Sequence, residues 1–384
     1  MPATTAQTAP AQEAGRAQPQ TTVQNPGGPF IRYAQIGRRQ LYTLSNQTVG
    51  GLITQPLPAT PGYIRKMRIR IQATGGVGSA TAAVSAADQP YNIISNVLVK
   101  DAFGTTLIQA PGFETFKLIP LYGGQFGLDA LSDPGNLPSF SAVASTGNFT
   151  FASVLPFEFA QGFGCISGAN AALLPTVQFV GNGAPYGTAP GTLPVLSVTN
   201  EGDFYWLPEG SDILPPGLGT TAQWNVAASN PSIGSTSSTS VIVPRLGGYV
   251  NTLVFILRDS TGARIDPFSG VTNPTFQIRV DGVPVIDTRW ETFLDDMQIQ
   301  FGGAAAAQWA RPTGTFAWTR KTSLNQKSLG LMDTGEEWLS TNPGTLVEVF
   351  APNWGTISNA PATLNVLSEI VVPTGSLIQG LPEL

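Results

Sequence analysis

The sequence predicts an all-β chain in which one domain occurs twice in tandem. Three features point there: ordered echoes between the halves, short apolar runs broken by glycine and proline, and period-two alternation inside those runs. Gly62-Tyr63 recurs as Gly248-Tyr249, and the stretch from Asn96 to Gly104 has a shorter counterpart from Gln277 to Gly282. Glu114-Thr115-Phe116 recurs as Glu291-Thr292-Phe293, and Phe179 with Asn182 as Phe350 with Asn353. Thr192-Leu193-x-Val195-Leu196-Ser197 recurs as Thr363-Leu364-x-Val366-Leu367-Ser368. The separations shrink along the chain from 186 through 177 to 171 residues. Loop deletions in a duplicated unit produce that drift.

Composition agrees and removes most function classes. A chain of 384 residues suits two domains, each able to bury a core. Charged residues are 11% of it, against roughly 25% in ordinary soluble proteins. A surface so poor in charge is a solubility liability unless much of it lies against other subunits. The 43 Gly and 32 Pro punctuate the whole chain, as turns between many strands do. A net charge of −5 gives no electrostatic basis for binding nucleic acid, and none is expected as a specific partner. The absence of histidine excludes Ser-His-Asp and Cys-His catalysis and His-ligated zinc. Cys165, the one cysteine, cannot form an intrachain disulfide and is expected to be a packed small residue. There is no phosphate loop, and Gly162 to Gly168 lacks dinucleotide spacing, so neither a cofactor nor a metal is expected. Without a signal-like N-terminus or long apolar stretch, the chain is expected to be neither exported nor membrane-spanning. The sequons at Asn46 and Asn148 then have no use.

Residues 1–29 are rich in Ala, Gln, Thr and Pro and cannot offset their own ordering entropy. From Phe30 to Leu44, Ile31, Tyr33 and Ile36 interleave with Arg32, Arg38 and Arg39. Residues 1–41 are therefore taken as an N-terminal arm whose basic-apolar end anchors against a neighbour or an inner surface. Residues 42–226 form the first unit, 227–240 a Ser/Thr/Asn-rich linker, and 241–384 the second unit. Met67, Ile69 and Ile71 alternate with Arg68, Arg70 and Gln72, as in a half-buried strand. The counterpart from Val250 to Leu257 is apolar on both faces and is expected to be buried on both. Hairpins follow in each half, turned at Asp101 to Gly104 and at Asp281-Gly282. After them, Trp290, Phe293, Leu294 and Met297 mark a helical stripe; in the first half Phe113 and Phe116 begin one that Pro120 is expected to stop. Later strands are expected at 149–159, 176–180 and 193–198, and at 315–319, 346–350 and 364–372.

Several residues invite chemical readings. Arg65, Lys66, Arg68 and Arg70 form a basic run, read as the solvated or subunit-facing side of one strand rather than a phosphate site. Asp287, Glu291, Asp295 and Asp296 would line a wet helix face. Glu114 and Phe116, with Glu291 and Phe293, are repeated structural positions inherited from the duplication.

In its tandem copies, its strand-turn-strand-helix order and its Gln- and Ala-rich arm, the chain resembles the double jelly-roll major capsid proteins of tailless icosahedral bacteriophages with an internal membrane. The resemblance runs from about Tyr42 to Pro373 and is one of architecture. It implies two tandem eight-stranded jelly rolls with short helices. It further implies a non-enzymatic chain that forms a homotrimer of six-cornered outline, which tiles an icosahedral shell. Such trimers meet neighbouring trimers, vertex (penton) and minor capsid proteins. The arm, through Ile31, Arg32, Tyr33, Ile36, Arg38 and Arg39, faces inward to neighbours or to membrane lipid. Localisation would be the virion, assembled in the host cytoplasm. Two other classes stay open. A tandem carbohydrate-binding or adhesin module would use Trp206, Trp224 and Trp354 as platforms, and a carboxylate-pair glycan hydrolase would use Asp287 or Glu291. Deleting residues 1–29 should leave a folded trimer that fails to build shells. Intact particles from that truncation, seen by electron microscopy, would remove the arm's role.

Overall fold

The computed structural model describes residues 34–59, 62–78, 84–85, 88–123, 141–143, 145–159, 163–168, 174–206, 221–228, 232–243, 247–302, 311–320, 338–342 and 344–372. Eight main strands make the first repeat: β1 (Gln35–Thr48), β2 (Leu52–Pro56), β3 (Tyr63–Thr74), β4 (Ile94–Lys100), β5 (Thr106–Ala110), β6 (Asn148–Pro156), β7 (Thr176–Gly181) and β8 (Val195–Trp206). Eight more make the second: β9 (Thr221–Ala228), β10 (Thr239–Ile242), β11 (Gly248–Arg258), β12 (Thr275–Val280), β13 (Val283–Arg289), β14 (Thr315–Thr319), β15 (Val347–Ala351) and β16 (Thr363–Val372). In the first repeat the strand orders are β1-β8-β3-β6 and β2-β7-β4-β5; in the second they are β9-β16-β11-β14 and β10-β15-β12-β13. Each strand of the second repeat thus has the neighbours of the strand eight places earlier. This is the double jelly roll that the sequence resemblance implied.

A helical element follows the hairpin in both repeats. In the first, α1 (residues 114–122) is a π turn, Glu114–Leu118, running into Ile119–Tyr122. Pro120 does not stop it, because it stands in the first turn of that second piece, where no helical N–H is required of it. In the second, α2 (residues 290–302) is Trp290–Met297 followed by a π turn, Gln298–Gly302. Each helix sends one phenylalanine between the two sheets. Phe116 lies 5.3 Å from Phe151 of β6 and 6.2 Å from Phe179 of β7. Phe293 lies 4.7 Å from Phe276 of β12 and 6.3 Å from Phe316 of β14. Full burial of such a ring contributes on the order of 1.5–3 kcal/mol.

The echo at Gly-Tyr has a backbone cause. Gly62 and Gly248 both hold positive φ, +108° and +99°. A Cβ on Gly62 would run into the carbonyl oxygen of Tyr205, and one on Gly248 would lie 2.7 Å from that of Val371. Tyr63 pairs with Tyr205 as Tyr249 pairs with Val371. Three residues after each glycine the strand bulges, at Arg65 and at Asn251, which ladder pairing skips. Asn182 and Asn353 share a local turn: each side-chain oxygen accepts from the N–H two residues on, at 3.0 and 2.8 Å.

Two other echoes are out of register. Leu57 N–H donates to Pro175 O as Val243 N–H does to Val347 O, both at 2.8 Å. That places Ala351, not Phe350, at the position of Phe179, and a one-residue slip turns a side chain to the other face. Phe179 is accordingly buried, while Phe350 is half-buried beneath Arg279 at 4.1 Å. Ser197 pairs with Gln72, and Arg258, 186 residues after Gln72, pairs with Thr363. The counterpart of Ser197 is therefore Thr363 rather than Ser368.

The unit boundaries also shift. Gln35–Gln40, assigned to the arm, are the first half of β1 and pair along β8. Residues 227–240, assigned to a linker, run from the end of β9 into β10, and both strands pair within the second repeat. Between them Ile233 is buried and exchanges two backbone hydrogen bonds of 2.8 Å with Ala362. The repeats join between β8 and β9. Of the arm, residues 1–33 lie outside the described residues.

Gly62→Ala should lower unfolding free energy by about 1–3 kcal/mol, because it adds both positive-φ strain and a clash. Gly247→Ala, next to open space, should be close to neutral; urea denaturation of both variants checks the difference.

Candidate assembly interface

The seam between the repeats is built first from backbone. β5 of the first repeat pairs in parallel with β9 of the second, Ile108 opposite Trp224 and Gln109 opposite Asn225. One sheet of each repeat therefore runs into the other without a break. Trp224 is fully buried at this seam. The Tyr122 hydroxyl of α1 meets the Thr315 hydroxyl of β14 at 3.1 Å, a second link across the repeats.

Ion pairs then fasten the seam with one polarity: the first repeat supplies acids and the second arginines. Arg258, at the end of β11, donates from Nη1 to Asp88 Oδ2 at 2.6 Å and from Nη2 to Glu114 Oε1 at 2.9 Å. Arg264 donates from Nε to Asp88 Oδ1 at 2.5 Å, and its guanidinium lies 4.2 Å over the Phe113 ring. Glu114 is 1% exposed, and its Oε2 has no hydrogen-bond partner. Burial raises the Glu114 pKa, and the nearby Arg258 offsets this only in part. Burial alone would lower the Arg258 pKa, but Glu114 and Asp88 outweigh it and hold it above the ordinary value. A buried pair of this kind is costly to break, because the orphaned charge stays in the interior.

The opposite flank of the first repeat is basic. Arg38 of β1 donates to Asp203 of β8 at 2.8 Å; Arg68 Nη2 and Lys66 Nζ of β3 reach the same carboxylate at 3.2 and 3.7 Å. Burial pushes the Asp203 pKa up, but Arg38, Arg68 and Lys66 more than reverse this and hold it below the usual range. Arg65 pairs with Glu158 at 2.6 Å and lies 4.6 Å over the Tyr205 ring, while Arg70 and Arg39 are exposed. The basic run is thus a partly self-neutralised strand face. The counterpart of Asp203 by register is Glu369, also buried, opposite Thr252.

The remaining predicted residues fall as follows. Ile31, Arg32 and Tyr33 lie outside the described residues. Ile36, Arg38 and Arg39 lie on β1, an edge strand of its sheet among the described residues. Phe116 and Phe293 are both buried, but Glu291, the repeat of Glu114, is exposed on α2. Asp287, Asp295 and Asp296 are exposed beside it, so the acids of this region line a wet face rather than a catalytic cleft. Trp224 and Trp354 are core residues and Trp206 is half-buried, which leaves the glycan-platform reading without its rings. Cys165 is buried, and burial raises its thiol pKa strongly. Among the described residues no cluster of three or more acids or cysteines could hold a metal. No helix there is long and apolar enough to cross a membrane. Asp88, Asp203, Arg258 and Arg264 were not picked out from sequence. Each has a partner more than 100 positions away and leaves no local pattern.

Solved structures show what the fold is shared with. The chain is similar to the STIV MCP at 15% identity and TM-score 0.60, over 90% of this chain and 100% of that one. A chain in the atomic structure of Sulfolobus Turreted Icosahedral Virus matches at 14% identity and TM-score 0.57, covering 91% of this chain and 94% of that one. A chain of the PBCV-1 virus capsid matches at 9% identity and TM-score 0.57, covering 88% and 93%. At these identities the shared property is the fold. No family model matches the chain, and no curated protein matches it.

Arg258→Met should destabilise the chain by about 3–5 kcal/mol at neutral pH by leaving Glu114 buried and unpaired. A carboxyl whose folded pKa is raised stabilises fully below its unfolded pKa and loses that contribution as pH rises through the folded value. The penalty should therefore shrink on acidification and be smaller in Arg258→Met/Glu114→Gln. Denaturation curves at several pH values would check both, and a pH-independent penalty would contradict the assignment.

Proposed function

We propose that this chain is a structural capsid subunit that assembles with copies of itself into the shell of an icosahedral virion. The observation that carries the reading is the extent of the shared fold: both repeats and their side-by-side arrangement match capsid chains over nine-tenths of this chain. The physics of the surface agrees with it. With 11% charged residues, the chain has broad uncharged stretches that can serve as subunit contacts.

In this reading the assembly unit is a homotrimer. Six jelly rolls then ring one axis, and heterologous contacts close on themselves. The basic and apolar residues from Ile31 to Arg39 supply the contacts with neighbouring trimers or with lipid beneath the shell. Vertex and minor capsid proteins would complete the particle. Among the described residues the acids of α2 line an exposed helix face and Trp224 and Trp354 are core, which favours this role over catalysis or glycan binding.

Light scattering after size exclusion should give a particle of three times the 40.3 kDa chain, convertible to larger assemblies. A chain that stays monomeric at high concentration would defeat the proposal.

A further inference from the structure

The seam inside the chain is a template for the contact between chains. Strand equivalence makes β13 the counterpart of β5 and β1 the counterpart of β9. β5 and β9 satisfy each other within the chain, whereas β13 and β1 each keep one unpaired edge among the described residues. Both open edges carry exposed apolar side chains: Ile36 is 64% exposed on β1, and Val283 and Val285 are 63% and 42% exposed on β13. Open, apolar edges of this kind template pairing with another chain.

We propose that β13 of one copy pairs in parallel with β1 of the next copy, in the register of the β5–β9 seam. The bulges fix that register. β5 skips Leu107 and β13 skips Val285, so Gln109 corresponds to Asp287. Across the other strand, Asn225 pairs with Ser368 and Arg39 with Gly202, and Ser368 is the counterpart of Gly202, so Asn225 corresponds to Arg39. Gln109 opposite Asn225 within the chain becomes Asp287 opposite Arg39 between chains. Both residues are exposed, and neither has an ion-pair partner among the described residues.

Charge polarity supports the pairing independently. The internal seam sets acids of the first repeat, Asp88 and Glu114, against arginines of the second. The free flanks keep that bias: Asp287, Glu291, Asp295 and Asp296, with Arg289 among them, line the β13–α2 side, while Arg39, Arg70 and the three cations gathered on Asp203 line the β1–β3 side. Glu291 is exposed in the single chain because the flank it serves belongs to the next copy. Its own cation does not follow by equivalence, since the counterpart of Arg258 is Gln72. The contact is heterologous, so a ring of copies can close.

The proposal rests on the self-assembly reading, and the test separates the two. In the full chain, Arg39→Asp and Asp287→Arg should each raise the concentration for half-assembly at least about tenfold in analytical ultracentrifugation, with unchanged denaturation curves. The double variant should restore assembly. In an Arg39→Cys/Asp287→Cys chain, a short bismaleimide should yield covalent trimers, while either introduced cysteine alone, with Cys165 buried, yields monomers. A wild-type chain that never assembles overturns both readings. Trimers indifferent to the reversals, or singles that the double variant fails to rescue, overturn this one alone.

Discussion

Every sheet that does not close leaves two rows of unpaired backbone groups, and the architecture of this chain is organised around where those rows go. Among the sheet edges of each repeat are one of the β1 type and one of the β5 type. Within the chain, one edge of each type is satisfied by parallel pairing of β5 with β9. That pairing makes one sheet continuous through both repeats, sets their side-by-side placement, and brings Arg258 and Arg264 against Asp88 and Glu114. It also explains why β11 is buried along its whole length from Val250 to Leu257. The strand has its own opposing sheet on one side, and α1 of the first repeat reaches its sheet through Tyr122 and Thr315. β3, its counterpart, alternates between buried and partly exposed positions because the equivalent flank of the first repeat is open within one chain.

The features legible in sequence were those whose cause is local. Gly62-Tyr63 and Gly248-Tyr249 repeat because positive φ and a close carbonyl demand glycine at both sites. The Asp281-Gly282 turn, with φ of +50° and +82°, and the stripe of Trp290, Phe293 and Met297 were equally readable. Edge strands were not. Gln35–Gln40 contains two arginines and two glutamines among six residues, because only one flank of β1 is paired and both faces of this stretch are largely exposed. It therefore looked like arm. The Ser- and Thr-rich stretch from Ala227 to Ser240 looked like a linker, since composition cannot reveal that Ile233 pairs with a residue far downstream.

The two misaligned echoes teach a related lesson. Thr192 to Ser197 and Thr363 to Ser368 share letters because apolar alternation recurs in any strand, yet pairing places Ser197 against Thr363 in the superposition of repeats. Letter identity survives duplication where a side chain is irreplaceable, and otherwise only the pattern survives. Asp203 and Glu369 show the converse: no sequence match flagged them, but both are buried acids at the residue facing the bulge of the neighbouring strand.

The repeats have diverged most in charge, and the divergence has a direction. Asp203 gathers Arg38, Lys66 and Arg68 on the outer flank of the first repeat, while the second repeat carries acids on its outer flank and keeps Arg258 and Arg264 for the inner seam. Identical units would still pair a β1-type edge with a β5-type edge, but any unit could then follow any other. Once the flanks differ in sign, the first repeat of one chain is complementary to the second repeat of another and not to itself, since like charges brought together in a contact repel. In a chain where charge is scarce, placing it at the flanks selects which repeat each edge accepts. The rotation between successive copies then decides whether such a heterologous contact closes into a ring.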